Sequence, residues 1–275
     1  MSLKTIPNPK RRNWRAPLFR VVAGLASLLF LVMGGLHGLL APWVRSWVAS
    51  EPGIQHPQLH LWHDAQFGAL MVILLVGSMV ALLWQPREKP LLIQFLAVGS
   101  LIYLLNLALF DPASAIFLAI IFGLVIAAYP EPRALLRFSN EGPVSKLRLG
   151  LSLLTAALLA PDVWRSFRLQ LVDVSEHALA NHWITGAALA MLLVLAAILS
   201  AAGRSGRRTL GVLVGLALLH LGAAALTLPD NPGSWGITGG VISILGGLSF
   251  IFTTRWEAQR QPAPLILETS KVQTR

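Results

Sequence analysis

Three histidines and an aspartate crowd into one short stretch, His56-Pro-Gln-Leu-His60-Leu-Trp-His63-Asp64, directly ahead of a long uncharged run. In a helix, positions 56, 60 and 63 share a face, a spacing that suits imidazole ligands of a transition metal, so His56, His60 and His63 are the metal candidates. Asp64 would then orient one ring through its second nitrogen. The same residues also read as an amphipathic segment at a membrane surface, with the rings facing water or head groups. Pro57 restricts any helix here to starting at that residue.

A second polar group, Asp173, Glu176, His177 and His182, lies about 120 residues further on. Set against the first, it places Asn181 opposite His63 and His182 opposite Asp64. Two readings remain open: one asymmetric ligand site between the halves of the chain, or two polar helix starts in which Asp and Asn act as caps, the latter being favoured. A third group sits inside apolar runs: His37, Asn106 with Tyr103 one turn away, and His220. Polar groups at such depth line a pathway or bond between helices. Two intramembrane histidines, His37 and His220, also fit a bis-imidazole haem, although their depths differ by roughly 6 Å at 1.5 Å per residue. Hydrogen bonding to a neighbouring helix is the simpler expectation.

Other chemistry has no support. The chain has no cysteine, which excludes disulfides, thiolate metal sites and redox thiols. Ser27, Ser78 and Ser100 are isolated, with no base at catalytic spacing, and no glycine-rich loop sits between a strand and a helix. Gly34 and Gly38, Gly211 and Gly215, and Gly239 and Gly246 have spacings that suit close helix packing. The sequence requires no cofactor.

The elements that must position these residues are membrane spans. Of 275 residues 55% are apolar and only 12% charged, and the mean hydropathy is +0.66, values outside the range of soluble domains. The net charge of +10 does not indicate nucleic acid, because the basic residues sit in short connections between apolar runs. Eight runs are long enough to span: 21–41, 65–84, 91–110, 113–129, 144–160, 184–202, 209–228 and 235–253. The first exceeds a usual signal core, and Pro42 blocks a cleavage site after Ala41. In the fifth, Arg148 is expected to snorkel to an interface. Trp43 and Trp47 mark an interfacial turn, and 162–183 reads as a long external segment.

With both termini cytoplasmic, only Arg45, Arg165 and Arg168 of the 22 Lys and Arg residues fall outside, which sets the orientation. Leu39-Leu40-Ala41-Pro42 followed by WVRSW resembles Leu158-Leu159-Ala160-Pro161 followed by DVWRSF. The intervals Pro42 to Gly68 and Pro161 to Gly186 agree to within one position, as do Gly68 to Asp111 and Gly186 to Asp230. Four helices per copy is an even number, so the copies are parallel.

The reading is therefore an all-α integral membrane protein of the cell membrane, with eight transmembrane helices in two parallel four-helix repeats. Residues 1–17 form a basic cytoplasmic tail, 18–130 the first unit, 131–143 a cytoplasmic linker, 144–254 the second unit and 255–275 a second tail. In outline each unit is similar to DoxX-like modules, a likeness of layout. The expected function is a non-enzymatic accessory subunit or binder of a lipid or small ligand. Its polar face would lie on the extracytoplasmic side at His60, His63, Asp64, Asn106, His182 and His220, and its partners would be the bilayer and other membrane subunits. A small-molecule transporter is the second reading, opposed by the absence of a deep acidic residue or a broken helix. A haem- or metal-binding redox protein is the third.

Overall fold

The computed structural model describes residues 14–44, 56–138 and 141–260, and every regular element among them is helical. The long helices are α1 (Arg15–Leu40), α2 (Pro57–Leu83), α3 (Pro90–Ala108), α4 (Pro112–Ala128), α5 (Lys146–Val172), α6 (His182–Ala201), α7 (Arg207–Thr227) and α8 (Gly236–Arg260). By length and composition seven of these can cross a bilayer, and the apolar α4 has 17 residues. The tail before Trp14, the expected interfacial turn from Arg45 onward and the tail beyond Arg260 lie outside the described residues.

The ends of the helices follow from their residues. Pro57, Pro90 and Pro112 each open a helix, where the missing N–H costs nothing. Asp111 caps α4 by accepting from Ser114 N at 3.1 Å, and Ser145 caps α5 by accepting from Arg148 N at 3.1 Å.

Burial divides the helices in two. In α2, α3, α6 and α7 between 61% and 67% of the spanning window is buried, against 17% in α5 and 28% in α1 and α8. The first four therefore form the core, and the others present rows such as Val21, Leu25, Leu28 and Val32 outward. Helix α1 packs on α2 and α4 while α3 packs on α4; in the same pattern α5 packs on α6 and α8 while α7 packs on α8. The halves meet where α2 touches α6 and α7 and where α3 touches α6. One apolar cluster runs through this seam, with Leu74 and Leu96 on one side and Leu193 and Val214 on the other.

Several elements depart from expectation. Helix α5 does not stop near residue 160 but continues through Pro161 to Val172, so the first part of the expected external segment is helical. A proline removes one intrahelical bond, which membrane helices tolerate. The matching Pro42 instead follows the end of α1, where Ala41 N donates to His37 O at 2.8 Å. Arg148 does not snorkel: it is 1% exposed, and its Nη2 donates to Glu257 Oε2 at 2.6 Å. Glu257 also accepts from Ser145 Oγ, so α8 extends past residue 253 to carry that carboxylate.

Helix α1 is broken, against expectation. Met33 (ψ 34°) and Gly34 (φ 103°) leave helical geometry inside a π-type turn, Leu31–Gly35. Gly34 thus serves backbone conformation rather than contact, since a Cβ there would meet only Phe67, at 3.7 Å. Gly38 is a true contact glycine: a Cβ would lie 2.5 Å from Asp64 O and 2.8 Å from Gly68 N. Gly211 and Gly215 hold α8 close in the same way, against Thr254 and Gly247. Of Gly239, Gly240, Gly246 and Gly247 in α8, spaced seven apart in two pairs, Gly240 and Gly247 make the close contacts, while Gly246 meets only Leu218 at an ordinary 3.7 Å and Gly239 only Trp235 of its own chain segment.

Candidate ligand cavity and histidine cluster

At one end of the bundle the two halves meet through rings. His60 and His63 come from the start of α2, His177 from the short helical turn Glu176–Leu179, and His182 from the first residue of α6. His60, His63 and His177 are buried. The Nδ1 atoms of His60 and His182 lie 2.6 Å apart, so one ring donates and the other accepts. His60 stacks on His177 at 4.2 Å between centroids, and His63 on His182 at 5.0 Å. Glu176 Oε1 lies 3.3 Å from His60 Nε2 and 3.4 Å from His56 Nδ1. The contacts form a file, His56–Glu176–His60–His182, in which His60 is hydrogen-bonded to His182 through Nδ1 and lies within ion-pair distance of Glu176 through Nε2.

The surroundings fix the rings. His63 Nδ1 pairs with Gln66 Oε1 at 3.1 Å, while its Nε2 is buried without a hydrogen-bond partner. Trp183 stands edge-on to His63 at 4.9 Å, and its Nε1 donates to Asp173 Oδ2 at 2.8 Å. Bonds from Ser175 Oγ and N, together with that from Trp183, hold the Asp173 carboxyl below its ordinary pKa. Gly233 closes the cluster from the α7–α8 loop: with φ 78°, a Cβ would come within 2.9 Å of Trp183 and 3.3 Å of His63.

Beside the cluster lies a cavity of about 340 Å³ between α1, α2, α3, α4 and the start of α6. Its polar wall carries His37, Asp64, Tyr103, His182 and Thr185; its apolar wall carries Phe30, Phe67, Met71, Phe117 and Leu118. His37 Nε2 faces Asp64 Oδ2 at 3.6 Å, and the broken turn at Met33 and Gly34 lines the space. Asp111 borders it as well, its pKa lowered by the bonds from Ser114. A larger cavity of about 560 Å³ lies at the opposite, arginine-rich end. It has no titratable ring on its walls, and the histidine-end cavity is the better site for ligand chemistry.

The expected residues therefore separate. His60, His63, Asp64 and His182 come together at this end. Asn106 does not reach the cavity, because its Nδ2 donates back to Ile102 O of its own helix at 2.7 Å. His220 bridges helices instead: its Nε2 donates to Ala65 O at 3.2 Å and its ring packs on Trp43. His37 is turned to Asp64, so the two intramembrane histidines have separate partners. His56 and His60 converge on Glu176 and His63 on Gln66. Among the described residues no three carboxylate or imidazole groups are arranged to hold a metal ion.

Gln66 and Thr185 carry no signal in the sequence that marks them as ligand groups, Tyr103 stands there only as the neighbour of Asn106, and Glu176 and His177 only within the second polar cluster. The signal for the latter pair was the repeat alignment, which set that cluster opposite the first. No family model matches the chain, and no curated protein or solved structure is similar to it.

Proposed function

We propose that this chain is an eight-span protein of the cell membrane, built from two parallel four-helix units, that binds a small amphiphilic molecule in the cavity at its histidine end. Its basic end, with both termini, faces the cytoplasm. The repeated packing pattern of α1–α4 and α5–α8 and the matching burial of α2, α3 against α6, α7 support the two units. Basic residues concentrated in the turns of the arginine-rich end support the orientation.

One observation carries the reading. The cavity sets hydrogen-bonding groups, His37, Asp64, Tyr103 and Thr185, opposite a wall of Phe, Met and Leu. Such a site takes a molecule with a polar head and an apolar body. Native mass spectrometry of protein purified gently from membranes is expected to show one added mass at fixed stoichiometry. That mass is lost in Thr185→Trp, which fills the cavity, and weakened in the milder His37→Leu. Heterogeneous lipid, equal in all three proteins, would overturn the reading. Partner chains released at a fixed ratio would assign the site to an accessory subunit of a larger assembly.

A second reading, a transporter, is favoured by a specific feature. Helix α1 is broken where it lines the cavity, and α2 adopts π geometry over Ala69–Val76 beside it. Passage of the identified molecule across proteoliposomes separates a carrier from a binder.

A further inference from the structure

The cavity at the arginine-rich end is bounded on one side by the turn Gly203-Arg204-Ser205-Gly206 and the start of α7, and on the other by Glu88, Lys89 and the segment 141–143. We propose that it is an anion site for a phosphate group, carried by an anionic phospholipid head group or by phosphate in solution.

Helix α7 supplies the first component. It runs for 21 residues from Gly206 (φ 98°) with no side-chain cap and no acidic residue in its first turn. The first N–H groups of a helix have no partner within it, and the helix dipole places partial positive charge there. Phosphates bind at such ends.

Arg204 supplies an independent observation. Its guanidinium lines the cavity although the residue is 7% exposed, and its Nε is buried without a hydrogen-bond partner. Its Nη2 donates to Arg137 O, a neutral acceptor. Burial lowers the pKa of this group, and the nearby Glu141 carboxylate opposes that shift.

The charge on the wall points the same way. The wall carries four cations, Lys89, Arg204, Arg207 and Arg208, against two carboxylates, Glu88 and Glu141. Glu141 is bound to the turn, its Oε2 accepting from Ser205 N and Oγ at 3.2 and 2.7 Å. Lys89 Nζ and Arg207 Nη1 donate to the carbonyls of Ala81 and Pro143, contacts that position the cations without neutralising them. Phe138, 69% exposed, lies over Arg204 with 5.9 Å between guanidinium carbon and ring. An apolar rim beside a basic hollow at the start of two spans is where a phospholipid head group would rest.

The test is native mass spectrometry of detergent-delipidated protein titrated with phosphatidylglycerol, with phosphatidylcholine, and with inorganic phosphate. Phosphatidylglycerol is expected to bind at least tenfold more tightly than phosphatidylcholine. Lys89→Gln with Arg208→Gln is expected to remove most of that preference, and Arg208→Gln alone part of it. Displacement of the lipid by millimolar phosphate would assign the site to the free anion; no displacement would assign it to the lipid. Equal binding of both lipids, or unchanged preference in folded Arg208→Gln and the double variant, would overturn the proposal. Thr185→Trp at the far end is expected to leave the preference for phosphatidylglycerol over phosphatidylcholine unchanged, and loss of that preference in Thr185→Trp but not in the double variant would overturn the proposal.

Discussion

The two ends of the bundle bury polar groups by opposite means. At the histidine end His60, His63 and His177 are buried as rings that pack on one another, and His60 shares a hydrogen bond with His182. At the arginine end Arg148 is buried as a permanent charge, answered by Glu257 at 2.6 Å, whose other carboxylate oxygen accepts from the hydroxyl of Ser145. A neutral ring left without a partner costs one hydrogen bond, whereas a guanidinium left without a partner costs the desolvation of an ion. The arginine end should therefore be rigid and structural, and the histidine end tolerant and adjustable.

Glu257→Ala breaks the comparison most severely. It leaves Arg148 charged and buried, with an expected loss of about 3–5 kcal/mol, read as a large fall in thermal unfolding temperature in detergent. Arg148→Met with Glu257→Leu is expected to restore most of it. Full stability in Glu257→Ala would show that the guanidinium reaches water. Next, Gly38→Leu forces α1 away from α2, because Gly38 and Gly68 bring the two backbones together. The expected cost is about 1–3 kcal/mol, with loss of the added mass in native spectra. His60→Phe keeps the ring volume and strands the Nδ1 of His182, for about 1–3 kcal/mol. A cost equal to that of Glu257→Ala would erase the distinction between the ends.

The smallest effect is a pH dependence at Asp173. Its folded pKa lies below the unfolded value of about 3.9, so its contribution is complete above that value and is lost as pH falls through the folded pKa. Acidification below about pH 4 should loosen the Trp183 corner. Asp173→Asn should lower stability at neutral pH and remove that part of the acid sensitivity, as compared by thermal unfolding at both pH values. An unchanged acid response in the variant would show that Asp173 is not the group.

The sequence makes the spans legible because membrane helices announce themselves by length and by lack of charge. It also sets the polar residues around 60 and 180 opposite each other through the repeat of landmarks, but it favours two separate capped helix starts, whereas the rings of His60, His63, His177 and His182 meet. It cannot show the partner of a buried group. Arg148 lies near a helix start, where snorkelling is the ordinary outcome, and its answering carboxylate is more than a hundred positions away. Gly34 carries a small-residue spacing that looks like packing, and only the backbone geometry shows that it serves a break. Helix α5 outlasts its apolar run because helix formation in 162–172 is supported by partners such as Gln170. That side chain donates to Ala178 O and accepts from Ile184 N. Asn106 looked functional by depth alone, although its amide is satisfied one turn away.

The π stretch Ala69–Val76 sets the phase between two rows of side chains on one helix. On one side lie Met79 and Leu82, packed into the seam; on the other lie His60 and His63, which must meet His177 and His182. A wide turn accommodates extra residues without lengthening the helix in proportion. Reverting the stretch to α geometry with its residue count unchanged would rotate the histidine row relative to the seam row, because an α turn takes only 3.6 residues where the wide turn takes more. The rings would then point away from the second half while every span stayed apolar. The meeting of the two halves at their histidines thus depends on the turn geometry between the rows as much as on the identity of their residues.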